Sequence, residues 1–171
     1  MYERGVLEAS NDITFRGNSA LRAHGGGVYM LYMPVAVVKN RVLFDKNRAS
    51  LDAGAMYLWA DGNITITDDV TFKGCTSGRD AGALYIIDFL SRSERIHAVK
   101  HGVLFEANQC GLNRGTFFQA YGYGGGLFIA DARVELENAV CRNEPQMQKH
   151  SRQTPVWMPC FRLLKLKLAV I

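Results

Sequence analysis

The hexapeptide at 42–47 reads Val-Leu-Phe-Asp-Lys-Asn, and the hexapeptide at 70–75, which begins 28 residues later, reads Val-Thr-Phe-Lys-Gly-Cys. Each is followed by a pair of small residues that leads into an apolar run, as in Gly54-Ala55-Met56-Tyr57 and Gly82-Ala83-Leu84-Tyr85. A fixed period of roughly 20 to 50 residues is typical of stacked supersecondary units. These segments therefore predict a repeat protein.

Both motifs occur four times in the chain. The first, apolar-x-Phe-x-x-Asn, is found at Ile13–Asn18, Val42–Asn47, Val70–Cys75 and Val103–Asn108. The second, the small-residue pair with its apolar run, is found at Gly26–Tyr29, Gly54–Tyr57, Gly82–Tyr85 and Gly125–Phe128. A fifth repeat begins at Val134–Cys141 without completing the first motif, so the pattern predicts about four to five rungs.

The local patterns favour β-strands and no helices in the repeats. Ile64–Thr67 and Val134–Glu137 alternate between apolar and polar residues, and Val28–Tyr32 and Met56–Trp59 are short apolar runs of strand length. Short strands separated by turns in every period describe a rung of a single-stranded parallel β-helix, an all-β solenoid. We predict this fold for residues 1–143, with the right-handed sense of parallel crossovers. Residues 144–171 are predicted to form an irregular basic tail, disordered or capping.

In such a solenoid, equivalent residues lie directly above one another at the inter-strand spacing of about 4.8 Å. We therefore predict an inward ladder of rings and a ladder of amides that bind turn backbone groups. Cys75 occupies an amide slot and is predicted to be a buried thiol. The small-residue pairs are predicted to lie at bends where a side chain would collide with the next rung. The ladder residues are Phe15, Phe44, Phe72, Phe105, Asn18, Asn47 and Asn108.

Charge and cysteine spacing exclude several classes of function. Lys and Arg number 20 against 16 Asp and Glu, but the surplus lies in the tail, so the repeats offer no basic stripe for nucleic acid. The four cysteines lack CxxC spacing, which argues against zinc. The glycine runs enter apolar strands rather than helices, which argues against a phosphate loop. We predict no metal, no cofactor, no nucleic-acid partner, no membrane span and no signal peptide in this chain.

A catalytic site would require converging carboxylates, either for calcium or for glycoside hydrolysis. The adjacent pair Asp68-Asp69 aligns with Asn11-Asp12 and Asn40-Arg41 in neighbouring repeats, so no carboxylate column forms. We interpret the carboxylates as turn residues and predict no catalytic residue. His97 and His101 are predicted to lie on the surface. The carboxylates considered are Asp45, Asp52, Asp68, Asp69, Asp80, Asp88 and Asp131.

Two insertions interrupt the period, at 88–95 and at 111–124. Insertions in solenoids often cluster on one face, which is frequently the binding face. The second insertion is rich in aromatic residues and is a candidate interaction loop. Packing of the same rings onto the rung is an alternative that the sequence leaves open. The aromatic residues are Phe117, Phe118, Tyr121 and Tyr123.

The alternation of Phe-x-x-Asn with Gly-Gly-Ala-(Ile/Leu/Val) resembles the repeats of chlamydial polymorphic outer-membrane proteins, within the pectin-lyase-like class of right-handed parallel β-helices. The resemblance covers roughly residues 5–141 and rests on the four copies of each motif. It implies a secreted or surface-displayed module, extracellular or at the outer membrane. The implied partner is a protein or glycan of a host or neighbouring cell.

We therefore expect a non-catalytic β-helix module for adhesion or for protein or glycan interaction. The same structural class includes polysaccharide lyases and glycoside hydrolases, so a carbohydrate-active enzyme is the alternative.

Overall fold

The structure is a computed structural model that describes residues 6–88, 96–111, 125–130, 132–142 and 166–169. All regular elements in these residues are β-strands. In chain order they are β1 (Val6–Ser10), β2 (Thr14–Arg16), β3 (Ser19–Ala20), β4 (Val28–Lys39), β5 (Val42–Asp45), β6 (Arg48–Ala49), β7 (Met56–Thr67), β8 (Val70–Lys73), β9 (Thr76–Ser77), β10 (Leu84–Asp88), β11 (His97–Lys100), β12 (Leu104–Glu106), β13 (Leu127–Ala130), β14 (Arg133–Glu137), β15 (Val140–Arg142) and β16 (Leu166–Ala169).

The described strands form three sheets, and each sheet takes one strand from successive repeats. The largest has the order β1-β4-β7-β11-β14-β16, with β10 paired to β7 and β13. The second has the order β2-β5-β8-β12-β15, and the third has the order β3-β6-β9. All pairs are parallel except β14 with β16. The predicted all-β parallel β-helix is confirmed, whereas its right-handed sense stays a prediction.

The interior of the solenoid is organised around a column of phenyl rings. Phe15 stacks on Phe44 at a centroid distance of 4.7 Å, Phe44 on Phe72 at 4.9 Å, and Phe72 on Phe105 at 5.0 Å. The planes of neighbouring rings differ by 9° or less. Burial of each ring contributes about 1.5–3 kcal/mol. Cys141 pairs with Phe105 in the register and ends the column in the fifth layer.

The first glycine of three small-residue pairs, at Gly26, Gly54 and Gly82, lies where the backbone of the next rung leaves no room for a side chain. A Cβ on Gly54 would collide with the carbonyl oxygen of Gly82 and would lie 2.5 Å from the Thr76 nitrogen. Gly26 and Gly82 face equivalent carbonyls in their own neighbouring rungs. The second position is less crowded, because Ala55 and Ala83 occupy it in two of the repeats. Stacking therefore requires glycine at only one of the two positions.

The Asn of the first motif binds the backbone of the preceding rung. Asn47 Oδ1 accepts a hydrogen bond from the Asn18 N–H at 3.0 Å, and its Nδ2 donates to the Phe15 carbonyl at 2.9 Å. Asn108 does the same, accepting from the Cys75 N–H at 2.9 Å and donating to the Phe72 carbonyl at 3.0 Å. Each amide thus accepts from a backbone N–H at the turn and adds a hydrogen bond to a backbone carbonyl of the preceding rung.

Cys75 is a weaker substitute in this amide ladder. Its Sγ lies 3.5 Å from the carbonyl oxygens of Phe44 and Lys73, and the residue is fully buried. Burial raises the pKa of the thiol to about 11, so it stays protonated and unreactive at neutral pH. The prediction of a buried thiol at this position is confirmed.

The residue before each Asn or Cys adopts the left-handed conformation, which turns the chain out of the second sheet. Non-glycine residues pay about 1–2 kcal/mol for this conformation, so two of the four rungs carry a local strain. The φ angles are 64° for Gly17, 53° for Lys46, 60° for Gly74 and 55° for Ala107.

The insertion at 88–95 divides one long strand into two. β4 and β7 are continuous over 12 residues, whereas the next layer contains β10 and β11 in their place. β10 pairs with Met56–Ala60 of β7, and β11 pairs with Thr65 and Ile66 of the same strand. The chain therefore leaves the sheet and returns to it in register.

The sequence predicts an irregular tail, but part of the tail forms a regular strand. Leu166–Ala169 forms β16, which runs antiparallel to β14 with Leu136 opposite Leu166 and Arg133 opposite Ala169. This strand covers the outer edge of β14, the function of a cap. The remaining tail residues, 144–165 and 170–171, lie outside the described part of the chain.

The glycine slots give a first prediction. Gly54→Ala places a methyl group against the backbone of the adjacent rung, and this backbone cannot move without breaking the hydrogen bonds between rungs. The substitution is therefore expected to lower the free energy of unfolding by about 3 kcal/mol or more. Gly27→Ala is the matched control: its Cβ would lie 3.1 Å from the Ala55 carbonyl oxygen, in the slot that alanine fills elsewhere. It should cost less than about 1 kcal/mol. Urea unfolding of both variants provides the measurement, and equal costs would contradict the assignment.

The amide ladder gives a second prediction. Asn108→Ala leaves the buried Cys75 N–H without its partner and removes one hydrogen bond to the Phe72 carbonyl, and it is expected to cost about 1–3 kcal/mol. Cys75→Asn supplies the missing amide, and a gain of about 1 kcal/mol is expected. Both values come from urea unfolding at neutral pH under reducing conditions. A destabilised Cys75→Asn variant would show that the slot of this rung does not accept an amide.

Candidate interaction surface

The outer face of the largest sheet carries a second aromatic column. Tyr29, Tyr57, Tyr85 and Phe128 occupy equivalent positions of β4, β7, β10 and β13. Their ring centroids are separated by 5.4, 4.9 and 4.8 Å in that order. The strand alternation explains their direction, since Met56 and Leu58 on either side of Tyr57 belong to the core.

A shorter column lies beside the first. The Tyr32 and Trp59 rings are 5.1 Å apart, with Leu31 next to Tyr32 on β4. The β4–β7 register shifts between Met30 and Met33, and Tyr32 in this bulge has a φ of 53°. A bulge re-aims the side chain that it contains. We call the two columns together the aromatic face, defined as Tyr29, Leu31, Tyr32, Tyr57, Trp59, Tyr85 and Phe128.

The aromatic face is most exposed on β4. Tyr29 is 46% exposed, Leu31 39% and Tyr32 47%, whereas Tyr57 is only 7% exposed between its neighbours. Single exposed apolar residues are ordinary, but three on one strand, backed by further rings, form a continuous apolar patch. Patches of this kind mark sites of interaction.

A polar network lies at the corner of the chain that leads into this face. Asp52 is 4% exposed, and Arg79 donates to it through Nε at 3.1 Å and through Nη2. His24 Nδ1 lies 2.9 Å from Asp52 Oδ2, and the Asp80 N–H donates to Oδ1 at 3.1 Å. The His24 ring also contacts Tyr57 at a centroid distance of 4.6 Å. The network therefore ties three successive turns to the aromatic column.

Burial and hydrogen bonding set the protonation states of the acidic groups at this corner. Burial opposes ionisation of Asp52, but hydrogen bonds from His24 and Arg79 outweigh it and lower the pKa of the carboxyl. Burial and the nearby Asp52 charge raise the pKa of Tyr57 to about 12, and burial likewise raises the pKa of Tyr85. Both phenols stay protonated and can donate hydrogen bonds. The Asp52 oxygens are occupied, so they are poor candidates for a general base.

Most of the other carboxylates considered in the sequence lie in turns or ion pairs. Asp68 and Asp69 are exposed turn residues with φ of 57° and 66°, and Asp45 lies 2.9 Å from the Arg16 Nε. Asp88 is buried, and Asp131 lies outside the described residues. In the part of the chain that the structure describes, no group of three His, Cys, Asp or Glu side chains could hold a metal ion.

The surface prediction for His97 is wrong. The residue is fully buried; its Nδ1 accepts from the Ile64 N–H at 3.3 Å and its Nε2 lies 3.5 Å from Asp88 Oδ2. The cause is alternation, because His97 shares the inward face of β11 with Val99. Asp88 and His97 flank the insertion at 88–95, so this buried pair connects the two ends of the insertion. His101 is exposed, as predicted.

The aromatic loop of the sequence analysis, with Phe117, Phe118, Tyr121 and Tyr123, lies outside the described residues. It precedes β13 directly and therefore leads to Phe128 at one end of the aromatic face. The sequence analysis predicted neither the aromatic face nor the Asp52 network. The sequence signal for the aromatic face is an aromatic residue two places after the alanine or glycine that ends each small-residue pair, at Tyr29, Tyr57, Tyr85 and Phe128.

The Asp52 network gives a third prediction. Because the folded-state pKa of Asp52 is lowered, its ionised form stabilises the fold above the ordinary carboxyl pKa, and this stabilisation is lost as the pH falls through the folded-state pKa. Asp52→Asn should therefore cost about 1–2 kcal/mol near pH 6 and less near pH 3. Urea unfolding at both pH values measures the difference.

Asp69→Asn is the control, because the exposed left-handed turn residue accepts asparagine, and it should change stability by less than about 0.5 kcal/mol near pH 6. An Asp52→Asn cost that is equal at the two pH values would contradict an ionised Asp52 in the network.

No helix long and apolar enough to span a membrane occurs among the described residues. Comparison of the chain with family models, with curated proteins and with solved structures finds no match.

Proposed function

We propose that the chain is a non-catalytic β-helix module, secreted or displayed at a cell surface, that binds a protein or glycan of another cell through the aromatic face. The observation that supports this proposal is the exposed cluster of Tyr29, Leu31 and Tyr32 on β4. Aromatic side chains are enriched in recognition surfaces, since one end of each ring is apolar and the Tyr hydroxyl and Trp N–H can bond a polar partner.

The β-helix suits this role because it holds the rings rigidly. Each ring of the column contacts its neighbours at about the rung spacing, so little side-chain entropy remains to be lost on binding. The Asp52 network fixes the corner from which β7 starts, and it keeps Tyr57 in contact with His24. Binding energy is therefore not spent on ordering the surface.

The phenol hydroxyls define the polar part of the surface. The phenol hydroxyl of the half-exposed Tyr29 can donate to an acceptor on the partner, and the partly exposed Tyr85 stays protonated at physiological pH. Carbonyl, hydroxyl and carboxylate oxygens are the complementary groups, and both glycans and extended polypeptides carry them. The surface is thus suited to a neutral or acceptor-rich partner rather than to a polyanion that needs a basic patch.

The aromatic face gives a fourth prediction. The double variant Tyr29→Ser/Tyr32→Asn is expected to bind at least about tenfold more weakly than the unmodified chain to a glycan array or to a panel of fixed cells. Asparagine is used at 32 because it accepts the positive φ. Far-UV circular dichroism and the urea midpoint should be unchanged, since both side chains are half exposed.

Ile96→Ser is the matched control, because Ile96 is 49% exposed and lies outside the aromatic face. It should bind as the unmodified chain does. Equal binding by all three proteins, or no saturable binding by the unmodified chain on either array or cells, would contradict the proposal. Turnover of polygalacturonate or a related glycan, with or without calcium, would instead establish the carbohydrate-active alternative.

A further inference from the structure

The N-terminal end of the solenoid is a stacking surface that differs from every later layer. Among the described residues, β1, β2 and β3 are each the outermost strand of their sheet. Phe15 is half-buried whereas the other three rings of its column are fully buried, and Val6 is 65% exposed. Asn18 is exposed whereas Asn47 and Asn108 are fully buried. We call this surface the end face, consisting of β1, the turn at 11–12, β2, Asn18 and β3.

The charge of the end face is set by a column of charged side chains on the second sheet, in which basic and acidic residues alternate. The residues that follow the four phenylalanines of the column are in register with one another, and Arg142 of the fifth layer is in register with the last of them. Arg16 contacts Asp45 at 2.9 Å, and Lys73 contacts Glu106 at 2.9 Å. The column from the first layer to the fifth is Arg16, Asp45, Lys73, Glu106 and Arg142.

The turn at the neighbouring corner alternates in the same way. Asp12 accepts two hydrogen bonds of 2.6 Å from the Arg41 guanidinium, and Asp69 on the third layer also attracts Arg41. Opposite charges at this spacing favour the pair, whereas like charges directly opposite each other destabilise parallel neighbours. A strand layer that covers the end face is therefore favoured when it carries an acidic residue opposite Arg16 and a basic residue opposite Asp12.

A second copy of this chain does not meet that requirement. Stacked head to tail, it would place Arg142 of its fifth layer against Arg16, two like charges in one column. The antiparallel β16 also occupies the edge of β14 that such stacking would need.

We propose that the end face is a docking surface for one further rung of the same repeat type, supplied by a polypeptide segment outside residues 1–171, with an acidic residue opposite Arg16 and a basic residue opposite Asp12. Asn18 would bind that rung as Asn47 binds the first one, through its amide to the backbone of the Phe-x-x-Asn turn. A ring of that rung would stack on the outer side of Phe15, where no ring of the described residues lies.

The chain itself contains a segment with the required charges. Residues 35–62 span one full period and include Arg41 and Asp45. Val35 is in register with Val6, and Asn63, which follows the segment, is in register with Val35. A copy of residues 35–62 inserted between Gly5 and Val6 therefore adds one rung, with Arg41 of the copy on Asp12 and Asp45 of the copy on Arg16.

The test compares this insertion with a charge-exchanged insertion, in which the copy carries Arg41→Asp and Asp45→Arg. The matched copy is expected to raise the thermal unfolding midpoint by roughly 5 °C or more over the exchanged copy. It should also slow amide hydrogen exchange in β1 and β2 by about tenfold relative to the unmodified chain. A third insertion with Gly54→Ala in the copy should lose the gain, because its Cβ would meet the Gly26 carbonyl.

Equal midpoints for the matched and exchanged copies, or an inserted segment that exchanges its amides at unprotected rates, would overturn the proposal. Sedimentation of the unmodified chain at increasing concentration gives an independent check. A monomer is expected, and a dimer that Arg16→Ala dissolves would assign the end face to a second copy instead. The matched and exchanged copies carry the same aromatic residues, so the difference between them is separate from the binding test above.

Discussion

Parallel backbone pairing between successive rungs is the constraint from which the rest of this structure follows. It brings equivalent residues to about 5 Å from one another, so each position along the rung becomes a column with one chemical requirement. A column of rings stacks, a column of amides binds turn backbone, and a column at a tight bend excludes a Cβ. The phenyl column inside and the aromatic face outside are two products of the same geometry, one used for stability and the other left at the surface.

The columns with a strict requirement were predictable from the sequence, and those that depend on side-chain direction were not. Phe44 and Gly54 recur in four successive repeats, and stacking explains why the residue type is the same in all four. His97 was misassigned because the insertion before it hid the strand alternation that turns it inward. Tyr29 and Tyr57 looked like ordinary members of buried runs, and their outward direction required the register of the sheet.

The candidate site shows a similar division. His24 and Asp52 are one period of 28 residues apart and Arg79 lies 27 residues after Asp52, so the repeat places them in successive layers, but the hydrogen bonds between them depend on side-chain directions that the spacing does not give. Once they are in place, the cost of burying a carboxylate is offset by three donors, and the aromatic column gains a fixed starting point. The Lys46 and Ala107 conformations were equally hidden, because the Phe-x-x-Asn pattern does not specify its third residue.

The alternating column from Arg16 to Arg142 has a consequence for how such a chain can gain or lose length. Removal of one internal repeat would bring Asp45 against Glu106, or Lys73 against Arg142, and the chain would contain a repulsive joint. Removal of two adjacent repeats would leave every joint attractive. In this column, gain or loss of an even number of rungs keeps opposite charges in contact, whereas an odd number brings like charges together.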